Sequence, residues 1–141
     1  MGGSDRQLIE EFDKLIDANT LLNLRNHDFG SPYRRSMIAP VYDLVETWQG
    51  GRYTFRDEQL GAAFEAVRIA ASNLAETAMT KTHAHPMNPD LGTVRLDPAA
   101  HQIDPMARRR EAQAAAELNS AATEFVAAVD RMHELVTTFD Q

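Results

Sequence analysis

The chain has 141 residues, a net charge of −7 and no cysteine. A chain of this length can form one domain with its own hydrophobic core, and the lack of cysteine excludes disulfides, zinc–thiolate sites and thiol catalysis. The acidic balance argues against a nucleic-acid binder, because phosphate contacts need a clustered basic face. No apolar run is long enough to span a bilayer, and the first residues do not resemble a signal peptide. We therefore expect one cytoplasmic domain over residues 1–141, with a flexible leader at residues 1–4 and no cofactor.

A first helix is predicted from Asp5 to Asn26, because apolar residues recur there at steps of three and four. Ser4 or Asp5 can cap its start. Gly30 and Pro32 end it, since glycine accepts the left-handed conformation and proline lacks a backbone donor. The predicted buried stripe consists of Leu8, Phe12, Leu15, Ile16, Asn19 and Leu22.

Two further helices are predicted in the middle of the chain. The second ends at Gly50-Gly51, and Pro40 either lies in its first turn or kinks a longer helix that starts near Ser31-Pro32. We favour the shorter helix, Pro40 to Gln49, preceded by an irregular turn. The third runs from Asp57 to Lys81, with Thr54 and Asp57 in capping-box spacing just before it. Its predicted buried face consists of Leu60, Phe64, Val67, Ala71, Leu74 and Ala78.

Residues 82–104 are rich in proline and are predicted to form a long irregular loop, pinned to the core by Val94 and Leu96. Asp104 and Pro105 then predict the start of a fourth helix, as its N-cap and its first residue. This helix runs nearly to the C-terminus, so we expect it to be the longest and either to overhang the others or to bend. Its predicted apolar stripe consists of Ala107, Ala114, Leu118, Ala121, Ala122, Phe125, Val129, Met132, Val136 and Phe139. The small residues that would permit close approach of a neighbouring helix are Ala114, Ala121 and Ala128.

Four amphipathic helices with opposed apolar faces predict an all-α fold, a four-helix bundle of up-down-up-down topology. The loop before the last helix is longer than a compact bundle needs. Loops of that length are often functional or mobile, so this loop is one of two places where the sequence suggests a site.

The other place is the polar segment Arg25–Gly30, where the first predicted helix ends. One interpretation is a C-cap, in which Arg25 and His27 favour the negative end of the helix dipole and Gly30 turns the chain. The alternative is a catalytic or ligand site, in which Arg25, His27 and Asp28 act together and Asp28 orients His27 as a base or ligand. We consider the C-cap the stronger interpretation.

The run from Leu21 to Gly30, which contains Arg-Asn-His-Asp-Phe-Gly, resembles a segment of uncharacterised bacterial helical-bundle proteins. The resemblance extends more loosely to Trp48, to the third helix and to Leu118-Asn119. It implies a helical bundle and a bacterial source, but it implies no activity.

The size and the all-α build are also similar to those of HEPN-type helical ribonucleases, which carry an arginine followed a few residues later by a histidine. Arg25 has no histidine at that distance, whereas Arg95 and His101 have the spacing. The sequence departs from the HEPN pattern because Pro98 interrupts the helix that should carry both residues.

The histidines of the 82–104 loop, His83, His85 and His101, are candidate zinc or nickel ligands, because imidazole nitrogen suits both metals. Their spacing matches no familiar metal motif, and solvated surface histidines are the simpler interpretation.

The run Arg108–Arg110 lies near the predicted start of the last helix, where positive charge opposes the helix dipole. These arginines therefore need partners: Glu111, loop acids or an external anion.

No catalytic pairing stands out, which favours a non-enzymatic protein of unknown function. The leading hypothesis is a helical-bundle module that works by protein–protein contact, most simply as a homodimer through the long last helix. One alternative is a small helical nuclease or toxin-like effector that uses Arg25, His27 and Asp28 or the loop histidines. A second alternative is a binder of a metal or a small ligand through the 82–104 loop.

Overall fold

The computed structural model describes residues 1–96 and 98–140, which form six α-helices and one three-stranded antiparallel sheet. The strands lie in the order β1-β3-β2, and short 3-10 turns occupy Arg35–Met37 and Gly51–Tyr53. A mostly helical fold is thus confirmed, whereas the four-helix bundle is not. The helices are α1 (Gly3–Leu15), α2 (Ala18–Asn26), α3 (Ala39–Thr47), α4 (Glu58–Lys81), α5 (Pro98–Ile103) and α6 (Ala107–Phe139). The strands are β1 (Tyr33–Arg34), β2 (His83–His85) and β3 (Asn88–Thr93).

The two longest helices, α4 and α6, pack against each other and form the centre of the core. The predicted face of α4 is buried at all six positions, and the predicted stripe of α6 is buried from Ala107 to Met132. The predicted overhang of α6 does not occur. Its first residue is buried, and at its other end Asp140 accepts a hydrogen bond from Arg6 of α1 at 2.8 Å.

The prediction of a single first helix is wrong, because the helix is interrupted between the end of α1 at Leu15 and the start of α2 at Ala18. The Asp17 side chain accepts a hydrogen bond from the Thr20 amide at 2.8 Å and caps α2. Such a local bond competes with continuation of the helix. The break also changes which face is buried: Leu21 and Leu24 enter the core, whereas Leu22, part of the predicted stripe, is 55% exposed.

The start of α1 is tied to the start of α4. Gly3 and Ser4 already belong to α1, in the stretch predicted as a flexible leader. Asp5 is 2% exposed and its carboxylate accepts the backbone amides of Arg56 at 2.8 Å and Asp57 at 3.0 Å. Asp57 in turn caps α4 by accepting from the Leu60 amide at 2.9 Å. The predicted capping box of Thr54 and Asp57 is therefore wrong: Asp57 is itself the N-cap, and the Thr54 hydroxyl donates to the Gly50 carbonyl at 3.1 Å.

Helix α3 has Pro40 in its first turn, as the sequence predicts. Amides in the first turn have no acceptor within the helix, so the amide that proline lacks costs no hydrogen bond there. The helix ends at Thr47, two residues before the predicted end. Gly50 follows with φ of 85° and confirms the predicted glycine stop, because this left-handed backbone suits glycine.

The stretch 82–104 is more regular than the predicted loop: it contains the β2–β3 hairpin and α5. Strand β3 also pairs with β1, with Tyr33 opposite Gly92. A Cβ atom on Gly92 would lie 2.5 Å from the Tyr33 ring, so the ring lies directly across the glycine. Pro89 is tolerated in β3 because it has no partner in the register of either ladder.

Helix α6 begins at Ala107 rather than at Pro105. Asp104 is not its N-cap but closes the preceding turn, where its side chain accepts from the Met106 amide at 2.9 Å and its carbonyl from the Ala107 amide at 3.1 Å. Of the helices in residues 1–96 and 98–140, none is long and apolar enough to cross a membrane.

Candidate functional site

A cleft of about 920 Å³ opens between the β2–β3 hairpin, α5 and the first turns of α6. All three loop histidines line it: His83 and His85 from β2, and His101 from α5. Arg95 and Arg108 line it as well. We call it the histidine cleft. Its apolar lining includes Val94, Leu96, Ala112 and Ala115.

Glu111 is the carboxylate in the described lining of the histidine cleft, and it is already engaged. Its Oε1 atom accepts the Leu96 amide at 2.6 Å and lies 2.8 Å from His101 Nε2. Burial pushes the pKa of Glu111 upward, but the Leu96 amide, the His101 bond and the nearby Arg95 charge outweigh it, so the pKa is lowered. Glu111 is therefore ionised at neutral pH and fixes the orientation of the His101 ring.

The other two histidines differ in their bonding. His85 Nδ1 accepts a hydrogen bond from the Met87 amide at 3.1 Å. In the neutral ring the proton is then on Nε2, which leaves an N–H donor. His83 is exposed, and its ring makes no hydrogen bond within the described part of the chain.

The two arginines of the histidine cleft, Arg95 and Arg108, are exposed, and neither forms an ion pair with a carboxylate of the described residues. Of the run Arg108–Arg110, Arg110 alone has such a partner in that part of the chain, Asp104 at 2.9 Å. The sequence predicts that this run needs acids or an external anion. Two of its three guanidinium groups therefore have no counterion among residues 1–96 and 98–140.

The segment Arg25–Gly30 joins the end of α2 to α6. Arg25 pairs with Asp130 at 3.0 Å. Asn119 of α6 accepts the Phe29 amide at 2.8 Å and donates to Asp28 Oδ1 at 3.1 Å. The side chain of Phe29 is fully buried. The segment thus acts as a clamp between two helices.

Asp28 also accepts the Gly30 amide at 2.9 Å, which closes the turn after α2. That amide and the Asn119 side chain lower the pKa of Asp28, against a small opposing effect of desolvation. His27 makes no hydrogen bond to Asp28 or Arg25 within the described residues. It packs against Phe29 with ring centroids 4.9 Å apart, and it lines a separate groove of about 560 Å³.

The candidate residues Arg25, His27 and Asp28 thus contact different partners and do not form one site. The three loop histidines, in contrast, line one cleft. Sequence reasoning does not single out Asn119 as a functional residue or Arg95 as part of a cleft. The signal available in the sequence was the position of Asn119, a polar residue directly after the predicted core residue Leu118. In residues 1–96 and 98–140, no three His, Asp or Glu side chains converge as metal ligands.

Replacing Asn119 by alanine is expected to lower the free energy of unfolding by about 1–3 kcal/mol, because the Phe29 amide loses its acceptor. The pKa of Asp28 should rise towards its ordinary value of 3.8, since one of its donors is removed. In the wild-type chain, ionised Asp28 stabilises the fold above that value, and the contribution is lost as pH falls through the lowered pKa.

Urea unfolding and an NMR titration of the Asp28 carboxyl carbon measure both effects. Asn73→Ala is the matched control, an exposed asparagine on α4 whose side chain has no bond in the described structure. A pKa of Asp28 that is the same in Asn119→Ala and in the wild type would contradict the clamp.

The chain matches no protein-family model, no curated protein and no solved structure. The geometry of the histidine cleft and of the Arg25–Gly30 clamp is therefore the basis on which a function is argued.

Proposed function

We propose that the protein binds a small anionic ligand in the histidine cleft. The observation that carries the proposal is the charge of the lining. The two guanidinium groups of Arg95 and Arg108 outnumber the one carboxylate of the described lining, Glu111, and three imidazoles lie beside them, in a chain whose net charge is −7. Because the chain as a whole repels anions, this concentration of positive and titratable groups favours an anion at one place.

The two arginines of the histidine cleft are suited to this role. Guanidinium groups bind phosphate and carboxylate oxygens through paired hydrogen bonds, and Arg95 and Arg108 have no such partner within the described residues. Glu111, which would repel an anion, is bonded through Oε1 to the Leu96 amide and His101. The size of the cleft, about 920 Å³, lies in the range of small-molecule sites.

Arg108→Gln is expected to weaken the binding of inorganic pyrophosphate about 10- to 100-fold, which is the effect of losing one charge-assisted contact. Isothermal titration calorimetry at constant ionic strength measures the Kd. Arg109→Gln is the matched control, because Arg109 is the next residue on the same helix turn, has the same charge and does not line the cleft.

Equal weakening by the two variants would show that pyrophosphate responds only to net charge. If pyrophosphate, phosphate and citrate all fail to bind saturably to the wild-type chain, the proposed function is wrong.

Self-association through α6 remains a prediction, together with a cytoplasmic location and a bacterial source. The alanines that motivate a dimer, Ala114, Ala121 and Ala128, are buried within the chain itself. A homodimer would therefore need another surface. Sedimentation at micromolar concentration distinguishes a dimer from a monomer.

A further inference from the structure

We infer that the ligand of the histidine cleft is a phosphate monoester, in which a terminal phosphoryl group carries an apolar organic body. This inference rests on the proposed function and makes it specific. It follows from two properties of the lining: the number of hydrogen-bond donors, and an apolar wall beside them.

The donors exceed what a carboxylate can accept. Arg95 and Arg108 each offer a fork of N–H groups, and neither is engaged by a described carboxylate. The neutral His85 ring adds one N–H, because the Met87 amide occupies its Nδ1 atom. A terminal phosphoryl group has three oxygens and up to two negative charges, whereas a carboxylate has two oxygens and one charge. The phosphoryl group therefore satisfies more of these donors.

The remaining lining is apolar and lies on two elements. Val94 and Leu96 follow the hairpin, and Ala112 and Ala115 face the cleft from α6. Val94 and Ala115 are buried, and a free phosphate ion would leave the accessible part of this wall, Leu96 and Ala112, in contact with water. The organic group of an ester would cover it, and the burial of apolar surface would add to the binding free energy.

The fold holds this wall and the donors in one arrangement. Glu111 of α6 accepts the Leu96 amide and binds His101 of α5, so one side chain joins the three chain segments around the cleft. Val94 is itself buried and anchors the segment that carries Arg95. The site is therefore largely formed before the ligand binds, which limits the entropy cost of binding.

The experiment compares four anions by calorimetry on the full chain: phenyl phosphate, inorganic phosphate, benzoate and benzenesulfonate. Phenyl phosphate is expected to bind at least about tenfold more tightly than inorganic phosphate, through the apolar wall, and than benzoate, through the phosphoryl oxygens. Benzenesulfonate has the same body and three oxygens but one charge, so it should lie between phenyl phosphate and benzoate.

Two variants test the assigned groups. His85→Leu should weaken phenyl phosphate several-fold, and His85→Gln, which keeps an N–H donor, should restore part of the loss. His133→Gln is the control. It removes a histidine that binds a carboxylate, Asp13, at 2.8 Å outside the cleft, and it should leave the Kd unchanged.

The outcomes separate the two proposals. If no anion binds, the proposed function itself fails. If benzoate binds as tightly as phenyl phosphate, an anion site stands and the phosphate monoester is wrong. Equal affinities for inorganic phosphate and phenyl phosphate would contradict the inference that the ligand carries an apolar organic group. If His85→Leu unfolds, His85→Gln against His133→Gln still decides whether the imidazole contributes.

Discussion

Replacing Phe12 by alanine is expected to reduce the free energy of unfolding by about 3–5 kcal/mol. Phe12 is fully buried. Its ring contacts Trp48, Phe64 and His133 edge-on, with centroids 6.0, 6.2 and 6.4 Å away. The side chain therefore joins α1 to the end of α3, to α4 and to α6, and its removal leaves a cavity where four elements meet.

Urea unfolding followed by circular dichroism measures this effect. Leu22→Ala is the control, because Leu22 has the same apolar character on the first predicted stripe but is 55% exposed. Its substitution should change the unfolding free energy by less than about 0.5 kcal/mol. Equal effects of Phe12→Ala and Leu22→Ala would mean that α1 does not pack as described.

Replacing Asp5 by alanine is expected to lower the free energy of unfolding by about 2–4 kcal/mol. The two amides that the buried carboxylate accepts, Arg56 and Asp57, would lose their acceptor in a part-buried place. The segment before α4 would then lose its tie to α1. Asp5→Asn should have a smaller effect, because the amide oxygen can still accept one of the two hydrogen bonds.

Hydrogen exchange supplies a local readout, since the Arg56 and Asp57 amides should exchange faster in Asp5→Ala than in the wild type. Asp57→Ala is the comparison at the same helix start, and loss of that N-cap should cost about 1 kcal/mol. A variant Asp5→Ala with wild-type stability and unchanged exchange at both amides would contradict the tie.

The histidine cleft shows why the candidate site could be predicted only in part. The residue types were visible in the sequence: three histidines in one loop and a run of arginines at the start of a helix. Their convergence depends on the β2–β3 hairpin and on α5, which the prolines of that stretch argued against. Pro89 and Pro98 proved compatible with regular structure because one lies outside the ladder register and the other begins a helix.

The Arg25–Gly30 segment shows the opposite case. The C-cap interpretation rested on local rules, and the turn at Asp28 and Gly30 is local. Its attachment to α6 depends on Asn119, about 90 positions further along the chain. No pattern in a single sequence connects two polar residues over that distance.

Local sequence patterns were sufficient to predict the two longest helices and one helix stop. The periodic stripes of α4 and α6 and the Gly50 stop follow from contacts within a few residues, because the helix repeat and the helix ends involve near neighbours. The break before α2, the pairing of Tyr33 with Gly92 and the closure of the histidine cleft became visible only in the folded chain. Each of these depends on side chains brought together from distant parts of the chain, where packing outweighs local propensity.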